Sequence, residues 1–281
     1  MSTQQFTPAD TSSAVPSQSV GVLLVHGFYG APQEFLALQS ACHSQGWLTQ
    51  TVELPGHGDD AHRGLHHYSA LDFYGAVQDG FNTLQQQCDY TFVIGHSLGG
   101  MLALILASAN PLTLHGVLTF GSAFEHAYNL NRPWGWFTLP PKRLVNGLKY
   151  IPELRTGFAR PRLSPIHAPK MHREGLRICR WVQAALPSIA VPAYLGHSPY
   201  DLVVPYSEMS KIHVRLNQQT HVETDTYYNC GHMFFHNTAE TDRAVERSIR
   251  FISERLAAPP VPGVYRESQT VQAPAIRLPI Y

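Results

Sequence analysis

Residues 95–99, Gly-His-Ser-Leu-Gly, set a serine between two glycines in the middle of an otherwise apolar run. A serine hydroxyl is a weak nucleophile that needs a neighbouring base. A G-x-S-x-G stretch between a strand and a helix is one way to present it. The tight turn holds the serine at a strained backbone angle and lifts its hydroxyl clear of the sheet. Gly95 and Gly99 leave room where a side chain would clash, and Gly100 lets the following helix lie close to the strand. Alone, the pattern arises by chance in about one chain in ten of this length. The plain alternative is a glycine-rich turn whose serine only caps a helix. Context favours the nucleophile: "YTFVIG" before it reads as a buried strand and "LGGMLALILASA" after it as a buried helix.

The base must in turn be oriented by an acid, and in this strand-turn-helix setting both follow the serine, acid first. "YLGHSPYDLVVP" offers Asp201 just past one strand, and "NCGHM" offers His232 just past the next. Asp225 competes for the acid but lies inside a strand, where its side chain should face a helix layer. His236 and His197 compete for the base. His236 is expected to begin the last helix, and His197 precedes the bend that carries Asp201. With sixteen histidines in the chain, most must be non-catalytic. A tetrahedral oxyanion would also need amide donors. The N–H of Leu98 opens the helix after the serine, where the helix dipole assists. The N–H of Phe28, in the loop "HGFYG", is the second candidate, and Gly27 lets that loop approach closely.

These residues require a parallel sheet that brings strand ends to one rim. "VGVLLVHGF" is a short apolar run, so a buried strand. "APQEFLALQSACHSQG" has helical periodicity, with Phe35, Leu38 and Cys42 on one face and Gly46 as its stop. "WLTQTVEL", "HGVLTFG", "AVPAYLGH" and "HVETDTYY" read as further strands. "SALDFYGAVQDGFNTLQQQ" reads as a helix capped by Ser69 with Asp72 three positions on, and "YSEMSKIHVRL" and "TAETDRAVERSIRFISERL" as helices. Strands and helices alternate, and the inner strands are continuously apolar, which predicts an α/β fold with helices on both faces of a mostly parallel sheet. The rhythm breaks over residues 123–188, expected to form an inserted cap. Residues 19–122 and 189–257 form the core, 1–18 a disordered tail and 258–281 a Pro-rich tail.

The 281 residues carry no formal net charge, so no whole-protein field points to nucleic acid. Charge is unevenly spread. Residues 132–180 hold eleven Lys or Arg against two acids, whereas residues 1–131 hold one basic residue against nine acids. The four cysteines form no CxxC pair, so neither a zinc site nor a disulfide framework is suggested. The N-terminus lacks the pattern of a secretory signal, and the most apolar stretch, "MLALILASA", is far short of the roughly 20 residues a membrane span needs. A cytoplasmic protein is the expectation.

Taken together, "LLVHGFYGAPQEF", "LPGHG", "FVIGHSLGG", "YDLVVP" and "CGHM" resemble the α/β-hydrolase superfamily, and within it the bacterial carboxylesterases and monoglyceride-lipase-type serine hydrolases. The matches run from about residue 20 to 257. The resemblance implies Ser97 as nucleophile, His232 as base, Asp201 as acid, and Phe28 and Leu98 as the oxyanion amides. It implies no cofactor. The chain departs from the pattern in two ways. Some small esterases of this kind have Leu and Met around the serine, where this chain has His96 and Leu98. About 19 residues precede the first matched strand, so the leading strands of larger relatives should be missing, leaving about six.

In such hydrolases the inserted cap covers the site. Trp134, Trp136, Phe137 and Trp181 are candidates to line an acyl pocket, although each could equally serve to pack the cap on the body. His96, Val203 and Met233, next to the catalytic candidates, are further pocket candidates. The basic excess of the cap has three readings: a solvated face, a clamp on the acidic body, or an attraction for anionic lipid or acidic substrates. Trp-Gly-Trp-Phe beside basic residues suits peripheral membrane contact. "GHGDDAHRGLHH" invites a metal, but its spacing misses that of dinuclear metallohydrolases, and no metal is expected.

The expected function is hydrolysis of carboxylic esters, either short-to-medium acyl esters or monoacylglycerols, through an acyl-enzyme. The same machinery acting on lysophospholipid, thioester, amide or C–C bonds is an alternative, as is a non-catalytic binding protein on the same scaffold. A small-molecule or lipid ester is the expected partner, with no nucleic acid.

Overall fold

The computed structural model describes residues 19–58, 64–110, 112–125, 149, 168–216, 220–235 and 238–257. Strand β1 (Val20–Val25) leads through a 3-10 turn (Pro32–Phe35) into α1 (Leu36–Ser44), followed by β2 (Leu48–Val52) and α2 (Ala70–Gln85). Then come β3 (Tyr90–His96), α3 (Leu98–Ala109), β4 (Gly116–Phe120) and α4 (Ala168–Ala185). The chain continues through β5 (Ala193–His197), α5 (Ser207–Arg215), β6 (Val222–Thr226) and α6 (Thr241–Ala257). The strands form one six-stranded sheet in the order β2-β1-β3-β4-β5-β6, every pair parallel.

Successive side chains of a strand point to opposite faces, and the sheet divides its core accordingly. Leu23, Val25, Val93, Val117, Ala193 and Leu195 face the layer of α2, α3, α4 and α5. Val22, Leu24, Phe92, Ile94, Leu118, Phe120 and Tyr194 face α1 and α6. The inner strands β1, β3, β4 and β5 are buried almost throughout, whereas the edge strands β2 (LTQTV) and β6 (VETDT) are polar and half-exposed. That gradient from apolar centre to polar edge is what covering both faces of a parallel sheet demands.

Helix α3 is apolar all round and buried all round, because the sheet lies under it and α2 and α4 flank it. Each of its fully buried leucines, Leu102, Leu104 and Leu106, contributes about 1.5–3 kcal/mol. Its first turn presses on the sheet: a Cβ at Gly99 would lie 2.0 Å from the Val25 carbonyl oxygen, and one at Gly95 2.3 Å from the Gly99 oxygen. Helix α2 starts with a complete capping box. The Ser69 side chain accepts from the Asp72 N–H, and the Ser69 N–H donates to Asp72 Oδ2 at 2.7 Å.

All six strands run the same way, so their C-terminal ends open on one rim, where ligands bind in open α/β sheets. Of the expected cap, the described residues begin at the β4 exit and resume at α4. The exit is held by Glu208 of α5, whose Oε2 accepts the N–H groups of Phe124 (2.8 Å) and Glu125 (2.7 Å). Lys211 ties Glu208 (2.8 Å) to Glu125 (2.7 Å). Helix α4 packs on α3 with Ile178, Trp181 and Val182 inward, and its Glu174 accepts the Ala70 N–H at 3.0 Å. The expectations for 1–18 and 258–281, and for Trp134, Trp136 and Phe137, lie outside the described residues. No helix among the described residues is long and apolar enough to cross a membrane.

Candidate active site

Ser97 sits between β3 and α3 at φ 53 and ψ −118. Positive φ in a non-glycine residue costs on the order of 1–3 kcal/mol. Among the described residues only Ser97 and Tyr29 (φ 63) adopt it, and both lie at this rim. The turn is fixed from both sides: the Ser97 N–H donates to the Phe120 carbonyl at 2.8 Å, and the Ser122 hydroxyl donates to the Ser97 carbonyl at 3.2 Å. Ser97 is half-buried, and among the described residues its hydroxyl has no hydrogen-bond partner. Hydrogen bonds of this kind commonly tighten only once substrate is bound.

Asp201 lies in the loop after β5, and every feature of its surroundings suits a carboxylate. Oδ1 accepts the N–H groups of Val203 (2.8 Å) and Val204 (2.9 Å). Oδ2 accepts Nδ1–H of His232 at 2.7 Å, with His197 Nε2 at 3.4 Å. Burial opposes the charge, but the nearby His232 and the hydrogen bonds from His197 and His232 outweigh it, and the carboxyl is held well below its usual range. A carboxylate only accepts, so the proton of the His232 ring resides on Nδ1 and the lone pair on Nε2. Burial lowers the His232 pKa. The charge of Asp201 acts against this, while His96 and His197 add to the lowering. Neutral His232 is therefore the form held near pH 7.

Two contacts join the histidine to the serine turn. His96, adjacent to Ser97, donates from Nε2 to the His232 carbonyl at 2.8 Å. Gly121, which follows the Phe120 that binds Ser97, has φ +60. Its Cα faces Asp201 and His232 so closely that a Cβ there would lie 3.4 Å from both Asp201 Oδ2 and His232 Cε1. The first βα loop closes the other side, where a Cβ on Gly27 would come 3.1 Å from Ser97 Cβ. That loop turns tightly through Gly27–Gly30, the Gly30 N–H donating to the Gly27 carbonyl at 2.9 Å, and Phe28 lies within the turn. Leu98 is the first residue of α3, where helix N–H groups lack partners inside the helix.

The sequence model of the α/β hydrolase family matches residues 22–246. The chain belongs to the α/β-hydrolase family. It is 28% identical over 252 residues to the thermostable monoacylglycerol lipase of Bacillus sp. strain H-257, covering 84% of this chain and 91% of that protein. Among solved structures it resembles one described with the metagenome-derived lipolytic enzymes LipS and LipT, at TM-score 0.66 and 23% identity, over 84% of this chain and 95% of that one. It also resembles the monoacylglycerol lipase of Paleococcus ferrophilus, at TM-score 0.64 and 19% identity, over 84% and 94% of the two chains.

Other expected residues of this α/β hydrolase fall as follows. Val203 is half-buried and anchors Asp201 by its amide, while Met233 is buried beside His232. His96 is 3% exposed with both ring nitrogens engaged, and Trp181, also 3% exposed, is part of the core under α4. Asp225 lies in β6 between Arg243 and Arg247, in a separate ion cluster. His236 is outside the described residues.

Sequence reasoning missed Glu34 and the role of His57. Glu34 is 1% exposed and contacts His96 Nδ1 at 3.2 Å. It shares the spacing of Leu38 and Cys42, so a charged residue on a buried stripe was the available signal. His57, from "PGHG", accepts the Tyr29 N–H on Nε2 (3.2 Å) and donates from Nδ1 to the Pro55 carbonyl (3.1 Å). Both of its nitrogens are thus spent on backbone groups, Nε2 on the Gly27–Gly30 turn and Nδ1 on its own loop.

Proposed function

We propose that the protein hydrolyses monoacylglycerols or short-to-medium acyl esters through an acyl-enzyme on Ser97. It is a carboxylic ester hydrolase, in keeping with its family and with relatives named as lipases. The observation that carries the finer reading is the short His232–Asp201 hydrogen bond, with Asp201 ionised, at the rim that also carries the strained Ser97. Ser97 Oγ attacks the ester carbonyl while His232 Nε2 takes its proton. The N–H groups of Phe28 and Leu98 receive the oxyanion, and loss of one such donor typically costs about 3 kcal/mol of transition-state stabilisation. The tetrahedral species collapses to a Ser97 ester, and the alcohol leaves with the proton from His232. Water, deprotonated by His232, then attacks the acyl carbon, and the second tetrahedral species expels Ser97 Oγ, which takes the proton back from His232 as the acid is released. Peripheral membrane contact through residues 132–180 rests on their charge and aromatic content alone.

A panel of p-nitrophenyl esters, monoacylglycerols, lysolipids and aminoacyl amides, run on wild type and Ser97→Ala, tests the reading. Turnover of the first two classes is expected, abolished in the variant together with fluorophosphonate labelling. Preference for amides, or turnover that survives the substitution, overturns it. Sedimentation with anionic and neutral liposomes tests the membrane contact. Equal, negligible binding to both removes it.

A further inference from the structure

His96 is more than the residue before the nucleophile. Its ring is buried, and both nitrogens face acceptors: Nε2 the His232 carbonyl at 2.8 Å, Nδ1 the Glu34 carboxylate oxygen Oε1 at 3.2 Å. A neutral imidazole has one N–H and cannot donate twice. Two donations, Nε2–H to the His232 carbonyl and Nδ1–H to Glu34 Oε1, require the imidazolium. Glu34 lies in the 3-10 turn (Pro32–Phe35) that comes after the Gly27–Gly30 turn. Its second oxygen, Oε2, is buried without a hydrogen-bond partner and lies against that turn, 2.8 Å from where a Gly30 Cβ would be. One side-chain pair therefore spans three parts of the rim: the oxyanion turn, the serine turn and the loop of the base.

We propose that Glu34 and His96 are a positioning pair for ester hydrolysis, which fixes the His232 loop through its carbonyl and places a buried positive charge beside the base. The inference rests on the catalytic reading above. The ring centroids of His96 and His232 are 4.9 Å apart, near enough for a charge on one ring to act on the other. Facing His232 are Asp201, His197 and His96; facing His96 are Glu34, His26, Asp201 and His232. Burial works against the charged form of His96, but the charge and hydrogen bond of Glu34 and the His232 carbonyl outweigh it and raise its pKa. An imidazolium beside His232 disfavours a second positive charge there, so the base stays unprotonated to lower pH.

Replacing Glu34 by Gln keeps the shape and supplies an amide donor for a neutral His96, but removes the carboxylate that holds the charge. Glu34→Ala and His96→Phe remove the geometry as well. With folding verified by circular dichroism, Glu34→Ala and His96→Phe are expected to lower kcat about 10–100-fold with little change in KM, as a misplaced catalytic group does. Glu34→Gln should lose less kcat but move the acid limb of the kcat/KM profile up by roughly half to one pH unit. In the wild type, which needs no substitution to fold, both ring nitrogens of His96 should carry protons at pH 7 in nitrogen NMR. A singly protonated His96, or an acid limb that Glu34→Gln leaves in place, overturns the inference. Ser97→Ala is run alongside: if it retains turnover, the catalytic reading itself has failed, and if it is dead while Glu34→Gln matches wild type, only the positioning role has.

Discussion

The histidines on the two sides of the serine turn are used in opposite ways. On the oxyanion side, His26 and His57 bind only backbone. His26 donates from Nδ1 to the Gly27 carbonyl (2.9 Å) and accepts the Leu54 N–H on Nε2 (3.1 Å), while His57 holds the Tyr29 N–H. On the base side, His96, His197 and His232 each lie against a carboxylate. Burial pushes the His57 pKa down to about 3, with His26 adding to the effect. Burial also lowers His26, while it fails to lower His96 because Glu34 is there. The same side chain in similarly dry surroundings is held neutral at His57 and drawn toward its charged form at His96, according to its partner. In the mechanism proposed above, the backbone-bound pair would shape the turn that holds Phe28, and His232 with its carboxylate would handle the proton.

The comparison breaks most visibly at Asp201. Asp201→Asn replaces the one acceptor that fixes the proton on His232 Nδ1, and an amide donor there favours the wrong tautomer. We expect kcat to fall about 10⁴-fold with the fold intact. Steady-state assays on a p-nitrophenyl ester check this, and a loss below tenfold would mean that another group orients the base. A smaller effect is expected across the serine. His57→Leu strips the Tyr29 N–H of its acceptor and frees the turn that holds Phe28. It should cost about 1–3 kcal/mol of stability for the unpaired donor and about 10–100-fold in kcat through a misplaced oxyanion amide. If kcat is unchanged, His57 is a core residue and no more.

What could be read in the sequence, and what could not, divides along the same line. Strands were legible where burial on both faces forces continuous apolar runs, as in VGVLLV and YTFVIG, and α2 was legible from its capping box. The positions of Ser97, Asp201 and His232 at one rim were legible because each lies in a loop or turn just after a strand and carries a local motif; Asp201 and His232 are 31 residues apart and hydrogen-bonded. Glu34 and His96 are 62 residues apart and share no spacing rule; only packing of the 3-10 turn over the end of β3 brings them together. His57 was legible as part of a loop but not as a bracket, since its partner Tyr29 offers a backbone N–H that no side-chain pattern reports.

The two kinds of histidine also predict opposite pH slopes of stability. His57 has a folded pKa of about 3 against 6.5 unfolded, so between those values the unfolded chain binds the extra proton. Its contribution is intact above pH 6.5 and is lost as pH falls, about 2 kcal/mol by pH 5. His96 has a raised folded pKa, so its contribution is present below pH 6.5 and is lost as pH rises through the folded value. Urea unfolding from pH 5 to 8 should therefore show a shallower acid-side loss in His57→Leu and a steeper one in Glu34→Gln. Parallel curves would mean that the two sides of the turn do not differ in protonation.

The smallest effect is a control that touches neither side. Ser69→Ala removes the capping box of α2, on the layer that packs over the sheet rather than at its rim. N-cap losses of this kind cost about 1 kcal/mol. Since Ser69 contacts neither the Gly27–Gly30 turn nor the His232 loop, thermal unfolding should shift down while kcat, KM and the acid limb of the pH profile stay put. Should the acid limb move with this substitution too, protonation of the base would be tracking overall stability, and the changes assigned to Glu34 and His96 would lose their specific meaning. A fixed limb here, beside a displaced one in Glu34→Gln, separates a charge acting on His232 from a general loosening of the fold.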